Sequence, residues 1–281
     1  MKFKVFGDIV YETYSDSTII LNIHALRTPG QTVLEESFTV EPYFKIEELV
    51  SEQGENRLAR IEVPANTKVG FSYQALVDNS YRVLTRDDLY DVPVAAMDAS
   101  VLPFLFPSRY CQSDKLYRLA NNKFGNIEHP YAKVMALTEW IFRNVEYLSG
   151  STDSQTSAYD TVTEQAGVCR DFAHLGIALC RALTIPARYF TGYAYQLNPP
   201  DFHACFEAYL GGHWVVFDPT KLCPLNGFIK IASGRDAADT AIANLFGNIF
   251  CHTIQTSCEL CDEGFEPLFY DPSDIKAISY Q

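Results

Sequence analysis

Positive charge is scarce in this chain of 281 residues: 22 Lys and Arg stand against 35 Asp and Glu, for a formal net charge of −13. A nucleic-acid binder follows phosphates with a basic stripe, and no such stripe runs through the sequence. DNA, RNA and anionic membranes are therefore not expected partners. Long apolar runs are also lacking. None approaches the roughly 18 residues of a membrane span, and Met1-Lys2-Phe3-Lys4-Val5-Phe6 has no apolar core of the kind a signal peptide carries. The expectation is a cytoplasmic protein whose eight cysteines are mostly thiols. No internal repeat and no low-complexity tract is present, and a core of this size needs no covalent staples.

What is there is ordinary globular composition, 47% hydrophobic and 20% charged, with a high aromatic share of 14%. The length suits two modest domains. Residues 1–105 read as an antiparallel β-sandwich. The run 19–23 is rich in β-branched residues, and 67–75 alternates polar and apolar with period two. Turn signals separate such runs at Thr28-Pro29-Gly30, Gln53-Gly54-Glu55-Asn56 and Asp78-Asn79-Ser80. The stretch around Pro103 and Pro107 reads as the connection to a second, α+β domain over 106–281, which includes a C-terminal extension. Within it, Val134, Leu137, Ile141, Val145 and Leu148 fall on one helical face, predicting a helix over 131–148. Phe172, Leu175, Leu179 and Leu183 repeat the pattern over 169–184, and Pro186 stops it. Residues 187–196, 202–210 and 213–218 then read as strands.

Cys169 stands at the predicted start of the second helix, directly after Gly167-Val168. The unpaired amides of a first turn and the helix dipole stabilise negative charge there, which favours the thiolate that acyl transfer uses as its nucleophile. A buried cysteine that merely packs is the plainer alternative. Gly211-Gly212 between two strand-like runs signals a two-residue hairpin. Counting back from that turn sets Leu210 against His213, Cys205 against Asp218 and His203 against Thr220. Asp218 is then the diagonal neighbour of His203 on one face, at about 7–8 Å between backbone positions and within side-chain reach. A carboxylate so placed fixes the imidazole tautomer and leaves the other ring nitrogen for the thiol proton. A one-residue slip would destroy the arrangement.

The segments Gly167-Val168-Cys169-Arg170-Asp171-Phe172-Ala173-His174, Ile185-Pro186-Ala187-Arg188-Tyr189, His203-Ala204 with Glu207, and Phe217-Asp218-Pro219-Thr220 occur in that order. Together they resemble the bacterial transglutaminase-like family of cysteine proteases over most of residues 130–240. Gly234-Arg235-Asp236-Ala237-Ala238-Asp239 is similar to a further stretch of that family, and the first hundred residues resemble its β-rich leading domain. The resemblance implies a papain-related α+β core. Cys169 would be the nucleophile, His203 the general base and acid, and Asp218 the residue that orients it. The Cys169 amide would supply part of the oxyanion hole. One position departs from the pattern: Cys205 stands two residues after the histidine, where the family commonly has Trp. A disulfide lock between Cys205 and Cys169 is one consequence to test.

Other residues carry plainer readings. His174, five residues beyond Cys169, should point away from it and make a structural hydrogen bond. Asp171 should stabilise the helix start and Arg170 anchor a neighbouring loop. Glu207 should bind an arginine or an amide near the site. Arg235, Asp236 and Asp239 read as an ion-paired turn. Tyr193, Tyr195 and Phe202 are either cleft wall or core. Cys251-His252 and Cys258-Glu259-Leu260-Cys261 invite a zinc test, but the spacing is too short for a finger and the surroundings read as strand. No cofactor and no metal are expected. The leading reading is a cysteine hydrolase acting on peptide or protein amides through a Cys-His-Asp triad. A transglutaminase with the same triad and a scaffold with a degenerate site are the rivals.

Overall fold

The computed structural model describes residues 1–51, 56–271 and 276–280. Residues 53–55 of the expected turn after residue 52 lie outside this set. The chain begins with strands β1 (Lys2–Thr13), β2 (Ser17–Leu21), β3 (Gln31–Glu41), β4 (Ile46–Val50), β5 (Arg57–Val63), β6 (Thr67–Asn79) and β7 (Arg82–Leu84). Turns then lead through Pro103 and Pro107 to α1 (Ser113–Phe124), α2 (Pro130–Asn144), β8 (Glu146–Tyr147), α3 (Ala158–Glu164), β9 (Ala166–Gly167) and α4 (Cys169–Ala182). Four further strands follow: β10 (Ala187–Ala194), β11 (Phe202–Leu210), β12 (His213–Phe217) and β13 (Phe228–Gly234). The chain closes with α5 (Ala237–Thr240), β14 (Ala243–Phe246), β15 (Ile249–Leu260) and β16 (Ala277–Ser279).

The first half is an antiparallel sandwich of two four-stranded sheets, ordered β15-β1-β6-β3 and β14-β2-β5-β4. Period-two alternation builds it. Phe3, Val5, Ile9 and Tyr11 of β1 and Val69, Phe71, Tyr73, Ala75 and Val77 of β6 all turn inward onto Ile19, Leu21, Ala59 and Ile61 of the facing sheet. The C-terminal extension does not stay with the second domain. Strand β15 pairs with β1 and β14 with β2, so residues 243–260 complete the sandwich.

The second half is a four-stranded antiparallel sheet, ordered β12-β11-β10-β13, with helices on one face. Every residue of β10 is buried, because this strand is central and covered on both sides. Helix α4 is buried all round from Asp171 to Ala182. Its Phe172, Leu175 and Leu179 join Phe206, Phe217 and Leu137 in one cluster, and each such side chain contributes about 1.5–3 kcal/mol of burial energy. A Cβ on Gly176 would come within 2.4 Å of the Phe206 ring, so glycine here sets how closely α4 approaches β11. The expected helix over 131–148 ends at Asn144. Val145 is extended, and Glu146–Tyr147 pairs in parallel with Ala166–Gly167. The sheet partner outweighs the helical periodicity of Val145 and Leu148.

The Gly211-Gly212 hairpin forms as the spacing predicts, both glycines having positive φ (57° and 86°), which the tight turn requires. The register runs from Leu210↔His213 to Phe206↔Phe217. On the face of β11 away from α4, Glu207 is fully buried between two cations. Arg188 Nε donates to its Oε2 at 2.6 Å and Lys230 Nζ donates to its Oε1. Burial opposes the Glu207 charge, but Arg188 and Lys230 hold its carboxyl below the ordinary range. This pairing ties β11 to β10 and β13.

Two stability outcomes follow from these contacts. Gly176→Ala is expected to cost about 1–3 kcal/mol through overpacking against Phe206, read as a lowered urea midpoint at unchanged slope. Glu207→Ala should cost about 3–5 kcal/mol, because it leaves two buried cations without their carboxylate. Arg235→Ala, which breaks an exposed pair with Asp239, should cost no more than about 1 kcal/mol in the same titration.

Candidate active site

Cys169 is the first residue of α4, and the turn that precedes it is pinned by charge-assisted hydrogen bonds. Asp171 Oδ2 accepts the Val168 amide at 3.0 Å and the Thr152 hydroxyl at 2.8 Å. Its other oxygen accepts from the Arg170 guanidinium at 3.0 Å, and Arg170 Nη2 also donates to the Asp153 carbonyl at 2.5 Å. Asp171 therefore caps the helix and Arg170 anchors the 151–156 loop, the roles expected of them. A Cβ on Gly167 would meet the Asp171 Cβ at 2.8 Å, so a larger residue here would push the capping carboxylate off the helix start. The sulfur sits at the half-buried edge of the helix cluster.

His203 and Asp218 meet as the counted register requires. His203 is 1% exposed and Asp218 fully buried, and His203 Nε2 donates to Asp218 Oδ2 at 3.0 Å. The other oxygen of Asp218 accepts the Thr220 hydroxyl at 2.7 Å and the Thr220 amide at 2.9 Å, which fixes the carboxylate. The imidazole stacks on Phe228, with ring centroids 5.8 Å apart and planes at 13°. Burial disfavours the His203 charge, but the Asp218 carboxylate and its hydrogen bond outweigh that and hold the imidazole pKa well above the ordinary range. Asp218 moves the opposite way. Burial would raise its pKa, yet His203 and the two Thr220 bonds keep it below the ordinary range. The result is a buried imidazolium–carboxylate pair in which Asp218 engages Nε2, with the Cys205 and Cys223 thiols also acting on the ring.

Tyr147 joins the two halves of the site. Its strand lies beside β9, immediately before Cys169, with Tyr147 opposite Gly167. Burial and the Cys169 sulfur push its hydroxyl up to about 12, while the His203 charge and the Cys169 main-chain amide pull it down. The phenol thus neighbours the Cys169 main chain, within the electrostatic reach of the imidazole, and it stays 46% exposed. The sequence reading missed it by extending a helix through it. The β-branched and aromatic run Val145-Glu146-Tyr147 was the available signal.

Of the remaining expected residues, Cys205 interacts with the His203 imidazole, and the others fall outside this constellation. Cys205 is fully buried in a cluster with Phe190, Val216 and Cys223, separate from the helix cluster that Cys169 packs against. Glu207 binds Arg188 and Lys230 within the sheet rather than at the site. His174 accepts the Ala237 amide at 3.1 Å and lies between Tyr110 and Tyr189, a structural role. Asp236 accepts from the Ala238 and Tyr110 amides, and Arg235 pairs with Asp239. Tyr193 is core: its hydroxyl donates to the Ile23 carbonyl and its ring packs against the sandwich. Cys251 and Cys258 sit seven residues apart on β15, about 23 Å at strand rise, and His252 pairs with Glu12, so among the described residues these side chains are not gathered around one point. A cleft of about 610 Å³ on the sandwich is lined by Asp16, Ser17, Thr18, Phe44, Glu62 and Phe246 and contains no cysteine or histidine.

Comparison with known proteins agrees with this architecture. Residues 1–100 match the bacterial transglutaminase N-terminal domain, and residues 117–219, which contain Cys169, His203 and Asp218, match the transglutaminase-like superfamily. A crystal structure of a candidate cysteine protease from Cytophaga hutchinsonii shares 57% identity, covers all of this chain and 98% of its own, and superposes with a TM-score of 0.98. An uncharacterised protein of Mycobacterium leprae is 29% identical over 146 residues, 49% of this chain and 52% of its own length. An uncharacterised protein of Mycobacterium tuberculosis is 30% identical over 128 residues, 40% of this chain and 41% of its own. The match therefore spans about half the length of these curated relatives. The chain belongs to the transglutaminase-like superfamily, with a bacterial transglutaminase N-terminal domain ahead of an α+β core.

Proposed function

We propose that this protein is a thiol-dependent acyl-transfer enzyme that hydrolyses peptide or protein amides. The observations that carry the reading are the buried His203–Asp218 pair, 3.0 Å apart, and a cysteine at the start of helix α4 in the same core. Cys169 would attack the carbonyl carbon as thiolate, with its charge balanced by imidazolium and the helix dipole. The Cys169 amide would bind the oxyanion, so Tyr147 must yield that donor or share it. His203 Nδ1 would protonate the leaving amine, giving an acyl-thioester, and would then take a proton from the water that releases the acid. Asp218 keeps the proton on Nε2 throughout and thereby directs Nδ1 to the thiol.

Alkylation by iodoacetamide from pH 5 to pH 9, with each cysteine assigned by peptide mass spectrometry, tests the nucleophile. Cys169 is expected to label first at pH 6, since the other cysteines near the site are buried thiols, Cys223 being pushed up to about 11. His203→Ala should abolish that lead. Asp218→Asn removes the charge that raises the imidazole pKa, so less imidazolium is present at pH 6 and the lead should shrink there. Equal labelling of Cys169 and an ordinary thiol would defeat the reading.

A peptide panel run with a labelled primary amine separates the possible acceptors. Hydrolysis predicts free carboxylate and little label in product. Predominant amine incorporation with ammonia release would reassign the enzyme as a transglutaminase.

A further inference from the structure

The chain beyond β12 folds back to place a third ligand-bearing group against the His203–Asp218 pair. After Asp218, Lys221 takes a positive φ of 57° and its amide donates to the Asp218 carbonyl at 3.3 Å. This turn returns Cys223 to the carboxylate, where its thiol donates to Asp218 Oδ2 at 3.7 Å. The Lys221 side chain points elsewhere, with Nζ donating to Glu139 Oε2 at 2.6 Å. His203 Nε2, a carboxylate oxygen of Asp218 and Cys223 Sγ consequently all lie within 4.8 Å of one another, and all three residues are at most 1% exposed. The mechanism above does not use Cys223.

We propose that Cys223, His203 and Asp218 form an inhibitory site for a thiophilic divalent cation of the Zn2+ class. The inference rests on His203 being the base of the reaction. Imidazole, carboxylate and thiolate are the donors such an ion takes. Ligands at 2.0–2.3 Å around a tetrahedral ion stand about 3.3–3.8 Å apart, and the observed separations of 3.0 and 3.7 Å need only small adjustment to reach that. The charges balance as well. A carboxylate, a thiolate and a neutral imidazole with a divalent cation sum to zero, which is the condition a buried cluster must meet. A neutral fourth ligand such as water would keep that balance.

Binding would stop catalysis through the tautomer. The metal takes Nε2, so the ring proton must sit on Nδ1, the nitrogen that has to accept a proton from Cys169. The metal displaces the Nε2 proton of the imidazolium and the Cys223 thiol proton, and both are released to solvent. The base is then blocked although nothing occupies the substrate cleft.

Co2+ titration of the reduced full-length protein, followed by visible d–d bands and thiolate-to-cobalt charge transfer, tests this without an activity assay. One Co2+ per chain is expected, displaced by Zn2+. Cys223→Ser should lose the charge-transfer band and weaken Zn2+ binding by more than about tenfold, at least the loss seen on removing an outer-shell partner. Cys169→Ser and Cys251→Ser should bind as the wild type does. X-ray absorption on the Zn2+-loaded wild type needs no variant and should show sulfur at about 2.3 Å with nitrogen or oxygen at about 2.0–2.1 Å. An unaltered titration in Cys223→Ser, loss of binding in Cys169→Ser, or a shell without sulfur would overturn the proposal. Because the readout is binding, its failure leaves the acyl-transfer reading standing. An inert enzyme that still binds Co2+ through Cys223 separates the two in the other direction.

Discussion

The site depends on the register of β11 against β12. The same face of β11 carries His203 and Glu207, two buried titratable residues four positions apart, and each is satisfied by a partner on another strand: Asp218 just past the end of β12, and Arg188 and Lys230 on β10 and β13. A slip of one residue would turn both toward the packed face of α4, where no counter-charge awaits them. Buried ion pairs contribute little net stability, but they penalise every alternative pairing heavily. The Gly211-Gly212 turn fixes the count at one end, and the Phe206–Phe217 stack, with centroids 5.4 Å apart, holds it on the opposite face. His203 and Asp218 meet because these constraints select one pairing.

Much of this was legible in the sequence because the signals are local. Two glycines with positive φ can be read from a Gly-Gly pair, and from them the His203–Asp218 diagonal follows by counting. The start of α4 at Cys169 follows from apolar spacing and from the proline that ends the helix. What the sequence concealed depends on distant partners. Tyr147 becomes a strand residue only because β9 lies alongside it. Cys223 reaches Asp218 through a left-handed turn at Lys221, a residue type that carries no turn signal of its own. The return of β14 and β15 to the sandwich is set by the open edges of β2 and β1, more than two hundred residues upstream of them.

The two halves of the protein are stitched through the backbone of β13, which would otherwise be an exposed edge of the core sheet. Gln31 donates from Nε2 to the Lys230 carbonyl and accepts the Lys230 amide on Oε1. Asn56 makes the same reciprocal pair with Ser233, and Asn79 Nδ2 donates to the Phe228 carbonyl. Three buried amide side chains of the sandwich thus stand in for a missing fifth strand. Phe228, the ring under His203, lies on the strand they hold, so the sandwich supports the imidazole from below.

The pairing of β15 with β1 also governs the order of assembly during synthesis. Strand β1 emerges first and β6 soon covers one side of it, but its other side must wait for residues 249–260. About 180 residues separate the end of β6 from the end of β15. At roughly 5–20 residues per second, the growing chain carries an open β1 edge for about 10–40 s. The outer face of β1 carries four charges, Lys2, Lys4, Asp8 and Glu12, together with Phe6 and Val10, and charged side chains beside an open edge oppose its pairing with another chain.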